Sequence, residues 1–228
     1  MLYDAHCHLV ELGKSYDGVF VAAVSMDLAS SKRTLGLLGP KILKGVGIHP
    51  WLAHLEDPEK VLPLIEEADF VGEVGLDRKY SEAPWDRQRQ VFLKQIREDK
   101  TINVHALRAW KVTFDLLIKH DVKRAIFHWY TGPKELLKDI EGAGYFVTVN
   151  PSVKVQKEHA EAIAEADLSV ILVESDGGYT YRGRTLEPPM VVEAEDFLAT
   201  TFQVSIKEIE RKVRENFIRA FSLSQQVE

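Results

Sequence analysis

The chain has 228 residues, 45% of them hydrophobic and 28% charged, with a formal charge of −6 and a single cysteine. That length suits one large domain, residues 1–228, with a substantial core, and the lone Cys7 excludes an intrachain disulfide. The negative balance excludes a protein that coats nucleic acid by bulk electrostatics, no apolar run nears the roughly 20 residues that cross a bilayer, and the N-terminus has no signal-peptide pattern, so a cytoplasmic location is expected.

Short apolar runs alternate with amphipathic stretches along almost the whole chain. In order the runs are LYDAHCHL, GVFVAAVSM, LKGVGIH, DFVGEVGL, TINVHAL, RAIFHW, YFVTVNP and LSVILVESD. Helical periodicity falls between them at 28–39, 56–67, 85–99, 109–120, 133–142 and 156–166, with two more helices at 189–201 and 205–221. Several runs are apolar on both faces, as strands covered on both sides are. The alternation therefore predicts an α/β fold, an eightfold parallel β/α (TIM) barrel. The stretch from His8 to Gly18 is short for a crossover helix, so the barrel is expected to be slightly irregular between its first two strands. An open doubly wound sheet is the competing architecture.

In a parallel barrel the functional end lies at the carboxyl ends of the strands. The first run places Leu2, Asp4, His6 and His8 on one face, and Tyr3, Ala5, Cys7 and Leu9 on the other. His6 and His8 end the first strand, Glu73 the fourth, His105 the fifth, His128 the sixth and Asp176 the eighth. Imidazoles and carboxylates converging from distant parts of the chain suit two divalent ions such as magnesium, manganese or zinc. Glu73, with two oxygens, is the candidate bridge. His6, His8 and Asp176 would complete one ion, and His105 and His128 would hold the other. Asp4 lies a step deeper than His6 and is expected behind the ligands, orienting an imidazole. His49, ending GVGIH, faces the mouth, where it touches substrate or caps the turn before Pro50. His54, His120 and His159 read as solvated, and Cys7 as packed and inert.

DAHCHL, VGIHPW, VGEVGLD, FHWYTG, ESDGGY and ENFIRAF, in that order, make the chain resemble the TatD family of metal-dependent hydrolases. The resemblance runs nearly end to end. It implies that His6, His8, Glu73, His105, His128 and Asp176 are metal ligands, and that the activity is hydrolysis of phosphodiesters, chiefly as a deoxyribonuclease. Three segments depart from the family pattern. HALR puts Arg108 one position later than the usual H-x-R, Gly177 and Gly178 follow Asp176 without the usual proline, and RTLEPP keeps Glu187 and Pro188 but not the asparagine. The expected chemistry is in-line attack on phosphorus by a water activated between two ions, with Asp176 both a ligand and the group that accepts or orients the proton.

Aromatic and cationic residues share the loops beyond the strand ends: Trp51, Trp85, Trp110, Trp129, Tyr80, Tyr130, Tyr179 and Tyr181 beside Arg78, Lys79, Arg108, Lys111, Arg182 and Arg184. Rings that stack on bases beside groups that hold phosphates suit a single-stranded DNA end. The candidate substrate contacts are His49, Arg108, Trp129, Tyr179 and Arg182, while Trp85 is expected to pack against the rim. YTYRGR, with Gly177, Gly178 and Gly183, reads as a long loop able to move over the site. Two other readings compete: an amidohydrolase-type enzyme that cleaves a C–N or ester bond, and a metal- or nucleic-acid-binding relative without turnover. Against the first, Glu73 stands where such enzymes often carry a carbamylated lysine. The sequence leaves the oligomeric state open.

Overall fold

In a computed structural model that describes residues 1–224, the apolar runs form eight strands. They are β1 (Leu2–Cys7), β2 (Val19–Ala23), β3 (Ile42–Val46), β4 (Phe70–Gly75), β5 (Ile102–His105), β6 (Ala125–Phe127), β7 (Phe146–Val149) and β8 (Ile171–Val173). Residues 225–228 of the expected domain lie outside the described residues. Every residue of β2 and of β4 to β8 is buried, which is why their sequences run apolar without alternation.

The strands are parallel and follow one another in chain order, β1 to β8, with no switch point of the kind a doubly wound sheet requires. β8 returns to β1 through a parallel bridge between Cys7 and Gly177. The Asp176 amide donates to the His6 carbonyl at 3.0 Å, and the His8 amide to the Gly177 carbonyl at 2.8 Å. The barrel thus closes at the end where the candidate site residues gather. Two register breaks fall at that end, between Asp4 and Cys7 on β1 and between Val71 and Val74 on β4. They bracket His6 and Glu73, and such irregularities re-aim side chains beside functional sites.

Nine helices are described: α1 (Leu9–Leu12), α2 (Leu28–Leu35), α3 (Pro58–Glu67), α4 (Trp85–Gln95), α5 (Trp110–Lys119), α6 (Glu135–Gly142), α7 (Lys157–Ala164), α8 (Val191–Phe202) and α9 (Ile206–Ala220). α1 is a single turn ended by Gly13 in the left-handed region (φ 59°), so the irregularity expected between the first two strands is present. Two helices stop earlier than their periodicity. α2 ends at Leu35, with Gly36 as its cap and the next amide, that of Leu37, tightening to the Thr34 carbonyl at 3.1 Å, and α4 ends at Gln95, where the Arg97 guanidinium covers the carbonyls of Lys94 and Ile96. YTYRGR is a small antiparallel hairpin rather than an open loop, with β9 (Thr180–Tyr181) paired to β10 (Arg184–Thr185). No helix among the described residues is long and apolar enough to cross a membrane.

Candidate metal centre

The Glu73 carboxylate occupies the middle of the barrel mouth, and its two oxygens face different groups. Oε2 lies 3.4 Å from His6 Nε2 and 3.3 Å from His8 Nε2. Oε1 lies 3.1 Å from His105 Nδ1, 3.3 Å from His128 Nε2 and 3.1 Å from His49 Nε2. Asp176 Oδ1 is 3.5 Å from the Nε2 atoms of both His6 and His8. Asp176 and Trp129 both sit in the left-handed region, at φ 52° and 44°. An aromatic residue held there needs firm support. The Trp129 amide finds it by donating to Thr148 Oγ1 at 2.7 Å and to Glu174 Oε1 at 3.1 Å.

The far nitrogen of each imidazole sets its role. His6 Nδ1 is 2.8 Å from Asn103 Oδ1, His105 Nε2 is 2.8 Å from Asp77 Oδ2, and His128 Nδ1 is 3.1 Å from Glu174 Oε1. In the neutral ring each acceptor keeps a proton on the outward nitrogen and turns a lone pair toward Glu73. His49 is the reverse. Its Nδ1 accepts the Trp51 amide at 3.2 Å, so the neutral ring carries its proton on Nε2 and donates to Glu73. It caps the Pro50–Leu52 turn, one of the two roles the sequence offered, and its ring also lines the mouth.

Asp4 does not orient an imidazole. Its Oδ1 accepts the amides of His6 at 3.2 Å and Ser175 at 2.9 Å, and Oδ2 meets Ser175 Oγ at 2.5 Å. It ties β1 to the segment after β8, while the His6 ring reaches across to Asn103 on β5. His159, expected in solvent, is fully buried, with Nδ1 bonded to the Tyr130 carbonyl at 2.8 Å and Nε2 accepting the Asn150 amide. Cys7 is buried, as expected, and burial pushes its thiol pKa well up.

Above this floor lies a cleft of about 290 Å³ whose walls include Trp51, Tyr80, Trp110, Trp129, Tyr179 and Tyr181. Of the expected substrate contacts, His49, Trp129 and Tyr179 line it. Arg108 and Arg182 do not: Arg108 is exposed, and Arg182 is exposed at the hairpin tip, beside the Tyr181 ring. Lys79 is the one lysine or arginine lining the cleft among the described residues. Lys111 pairs with Asp115, Arg184 with Glu193, and Arg78 lies 4.2 Å over the Trp85 ring. Tyr130 belongs to the core, its hydroxyl donating to the Pro133 carbonyl.

Glu73, Asp77, Glu174 and Asp176 are all buried, and among the described residues their ion-pair partners are histidines alone. Burial opposes their ionisation, yet His49, His128 and His6 hold Glu73 well below its usual range, and His8 helps hold Asp176 down. Burial likewise opposes charge on His8, but Asp176 and Glu73 carry it up to about 10. The cluster demands positive charge that no ammonium or guanidinium among the described residues supplies. Three groups in it, His6–His8–Asp176, His6–Glu73–His128 and His49–Glu73–His105, bring donor atoms within 4.8 Å of one another. Imidazole and carboxylate donors buried together, whose carboxylates draw protons onto the rings, fit a divalent metal that would take the place of those protons.

A family model described as TatD related DNase matches residues 3–222. The chain belongs to the TatD family of metal-dependent hydrolases. This TatD-family chain is 27% identical to an uncharacterized metal-dependent hydrolase of Methanocaldococcus jannaschii, over 96% of both chains. It is 25% identical to human deoxyribonuclease TATDN3, over 96% of this chain and 94% of that one. Among solved structures, the TatD homologue YjjV of Escherichia coli matches with a TM-score of 0.85 at 20% identity, over 98% of both chains. A TatD-family hydrolase of Entamoeba histolytica matches at 0.77 and 14% identity, over 96% of this chain and 97% of that one. These two likenesses establish the fold.

Sequence reading of the TatD motifs missed Asn103, Asp77 and Glu174, the groups behind the imidazoles. Two of them carried a signal: Asn103 and Glu174 stand two positions before His105 and Asp176, so strand alternation puts each on the face of its neighbour.

Proposed function

We propose that this hydrolase cleaves phosphodiester bonds at the ends of single-stranded DNA, with two divalent ions, magnesium, manganese or zinc, held around Glu73. The observation that carries the reading is the division of the Glu73 carboxylate, Oε2 toward His6 and His8 and Oε1 toward His105 and His128. His6, His8 and Asp176 would hold one ion, His105 and His128 the other, with Glu73 shared. When bound, such ions supply Lewis acidity to phosphoryl oxygens and lower the pKa of a water that serves as nucleophile. Asp176, which lines the cleft, would take the proton of that water at a carboxylate oxygen. His49, whose one N–H goes to Glu73 Oε1, would orient that carboxylate. Trp129 and Tyr179, 5.9 Å apart and edge to face, give a terminal base a wall to pack against, and Lys79 offers one cation to a phosphate. Arg108 and Arg182, outside the cleft, would reach only more distant phosphates.

One observation favours a second reading. A cleft with six aromatic walls and a single cation also suits a small uncharged amide or ester. Metal content followed by turnover separates the two. We expect two divalent ions per reconstituted chain and shortening of labelled single-stranded DNA. Fewer than one ion per chain overturns the centre. Two ions with intact DNA, but with an amide or lactone cleaved, establish the second reading.

A further inference from the structure

We propose that Asp77 is a positioning residue that couples the metal centre to the substrate wall, through one carboxylate oxygen shared between His105 and Trp51. The inference rests on the metal centre proposed above. Asp77 lies two residues past the end of β4 and is 1% exposed. Its Oδ2 accepts two ring donors, Trp51 Nε1 at 2.7 Å and His105 Nε2 at 2.8 Å. Its Oδ1 accepts two amides, those of Lys79 at 2.6 Å and Tyr80 at 2.8 Å. The Asp77 amide donates to Gln88 Oε1 at 2.8 Å, which fixes the turn to α4.

With two donors on each oxygen, the carboxylate has no lone pair left for a metal. It acts through what it holds. Trp51, Lys79 and Tyr80 line the cleft, and His105 presents Nδ1 to Glu73. One buried carboxylate therefore sets three wall residues and one ligand ring together.

The shared oxygen gives the coupling a sign. A cation on His105 Nδ1 makes the Nε2 proton more acidic and a stronger donor to Oδ2. The Trp51 indole competes for the same oxygen, so its hydrogen bond loosens as the ring is metallated. Linkage requires the reverse as well: removing the indole N–H leaves Asp77 a better acceptor for His105 and strengthens metal binding.

Zinc titration of the protein with ¹⁵N-labelled indoles tests this, the Trp51 resonance being assigned by its loss in Trp51→Phe. Zinc should move the Trp51 Nε1 proton upfield and leave that of Trp85 in place. Trp51→Phe should bind zinc about two- to fivefold more tightly, the reciprocal of a fraction of one hydrogen bond. Asp77→Asn turns an NH₂ toward either the two rings or the two amides, and should lower zinc affinity about 10- to 100-fold. Bound zinc with an unmoved Trp51 resonance, or unchanged zinc affinity in Trp51→Phe, overturns the coupling and leaves the metal centre standing. Wild-type protein that takes up no zinc overturns the centre and the coupling with it. If Asp77→Asn fails to fold, the wild-type titration and Trp51→Phe still decide.

Discussion

Behind His128 and behind His8 the barrel mouth is built differently. His128 Nδ1 rests on Glu174 Oε1 at 3.1 Å, the same oxygen accepts Asn150 Nδ2 at 3.1 Å, and the Asn150 amide reaches His159 Nε2 at 3.3 Å. His159 is anchored in turn on the Tyr130 carbonyl at 2.8 Å. His8 has no such backing. It stands at the start of the one-turn α1 with 12% of its side chain exposed, and among the described residues its ring's hydrogen-bond and ion-pair contacts are with His6, Glu73 and Asp176. A ring backed by a buried carboxylate is fixed in tautomer and more basic, whereas a ring backed by nothing is oriented by the mouth alone. The His105–His128 side should therefore keep its ion more tightly than the His6–His8–Asp176 side.

Glu73→Ala is the severest test of that asymmetry, because it removes the oxygens both sides share. Turnover should fall by about 10³-fold or more, with circular dichroism showing the fold retained. Wild-type rates in this variant would remove Glu73 from the centre and end the comparison.

Acid probes the deep backing next. Burial holds the His159 imidazole down to about 4 from 6.5, with the Tyr130 carbonyl and Glu174 opposing. The unfolded chain therefore binds this proton more readily than the folded one. The stability from His159 is whole above pH 6.5 and is lost as pH falls toward 4. The shift amounts to about 3 kcal/mol. Urea unfolding at pH 7 and pH 4 should show a smaller acid loss in His159→Gln than in wild type. Equal losses would mean that the layer behind Glu174 does not resist protonation.

Glu174→Gln then isolates charge from shape. The existing bonds to His128, Trp129 and Asn150 all use Oε1, and Oε2 has no hydrogen-bond partner. An amide in place of the carboxylate can keep those contacts through its oxygen, removing the negative charge and turning its NH₂ to the site of the unpartnered Oε2. Zinc affinity, read by competition with a chelator, should fall about 10- to 100-fold. An unchanged affinity would mean that the charge behind His128 contributes nothing.

The barrel and its ligand-type residues were legible because both follow from local rules. Strand alternation put His6 and His8 on one face, and unbroken apolar runs marked strands covered on both sides. What lay behind the ligands was not legible, because it depends on registers that break at the mouth. Asp4 and His6 share a face in an ideal strand, yet the register shifts between Asp4 and Cys7, and the ring bonds Asn103 on another strand. His159 lies on a helix whose pattern allowed a solvated face, but its partners are a carbonyl and an amide brought in from β6 and β7 loops. Charge at the mouth misled for the same reason. Arg78 and Arg184 are visible in the sequence, whereas Trp85 and Glu193, which engage them, are known as partners only once the chain is folded; Lys111 pairs with Asp115 one helical turn on, a local pairing.

The finest distinction is between a charged and a neutral backing group. Asn103 does for His6 what Glu174 does for His128, but its amide is oriented by Nδ2 donating to the Ala5 carbonyl at 3.0 Å, and its Oδ1 carries no formal charge. A neutral acceptor makes a hydrogen bond about half as strong as a carboxylate does. Asn103→Ala should therefore cost less zinc affinity than Glu174→Gln, about three- to tenfold. The same substitution strips the buried Ala5 carbonyl of its side-chain partner, so stability should fall by about 1–3 kcal/mol. Reading affinity and unfolding separately keeps the two effects apart. If Asn103→Ala loses as much affinity as Glu174→Gln, the His6 side is as firmly backed as the His128 side, and the asymmetry narrows to His8 alone.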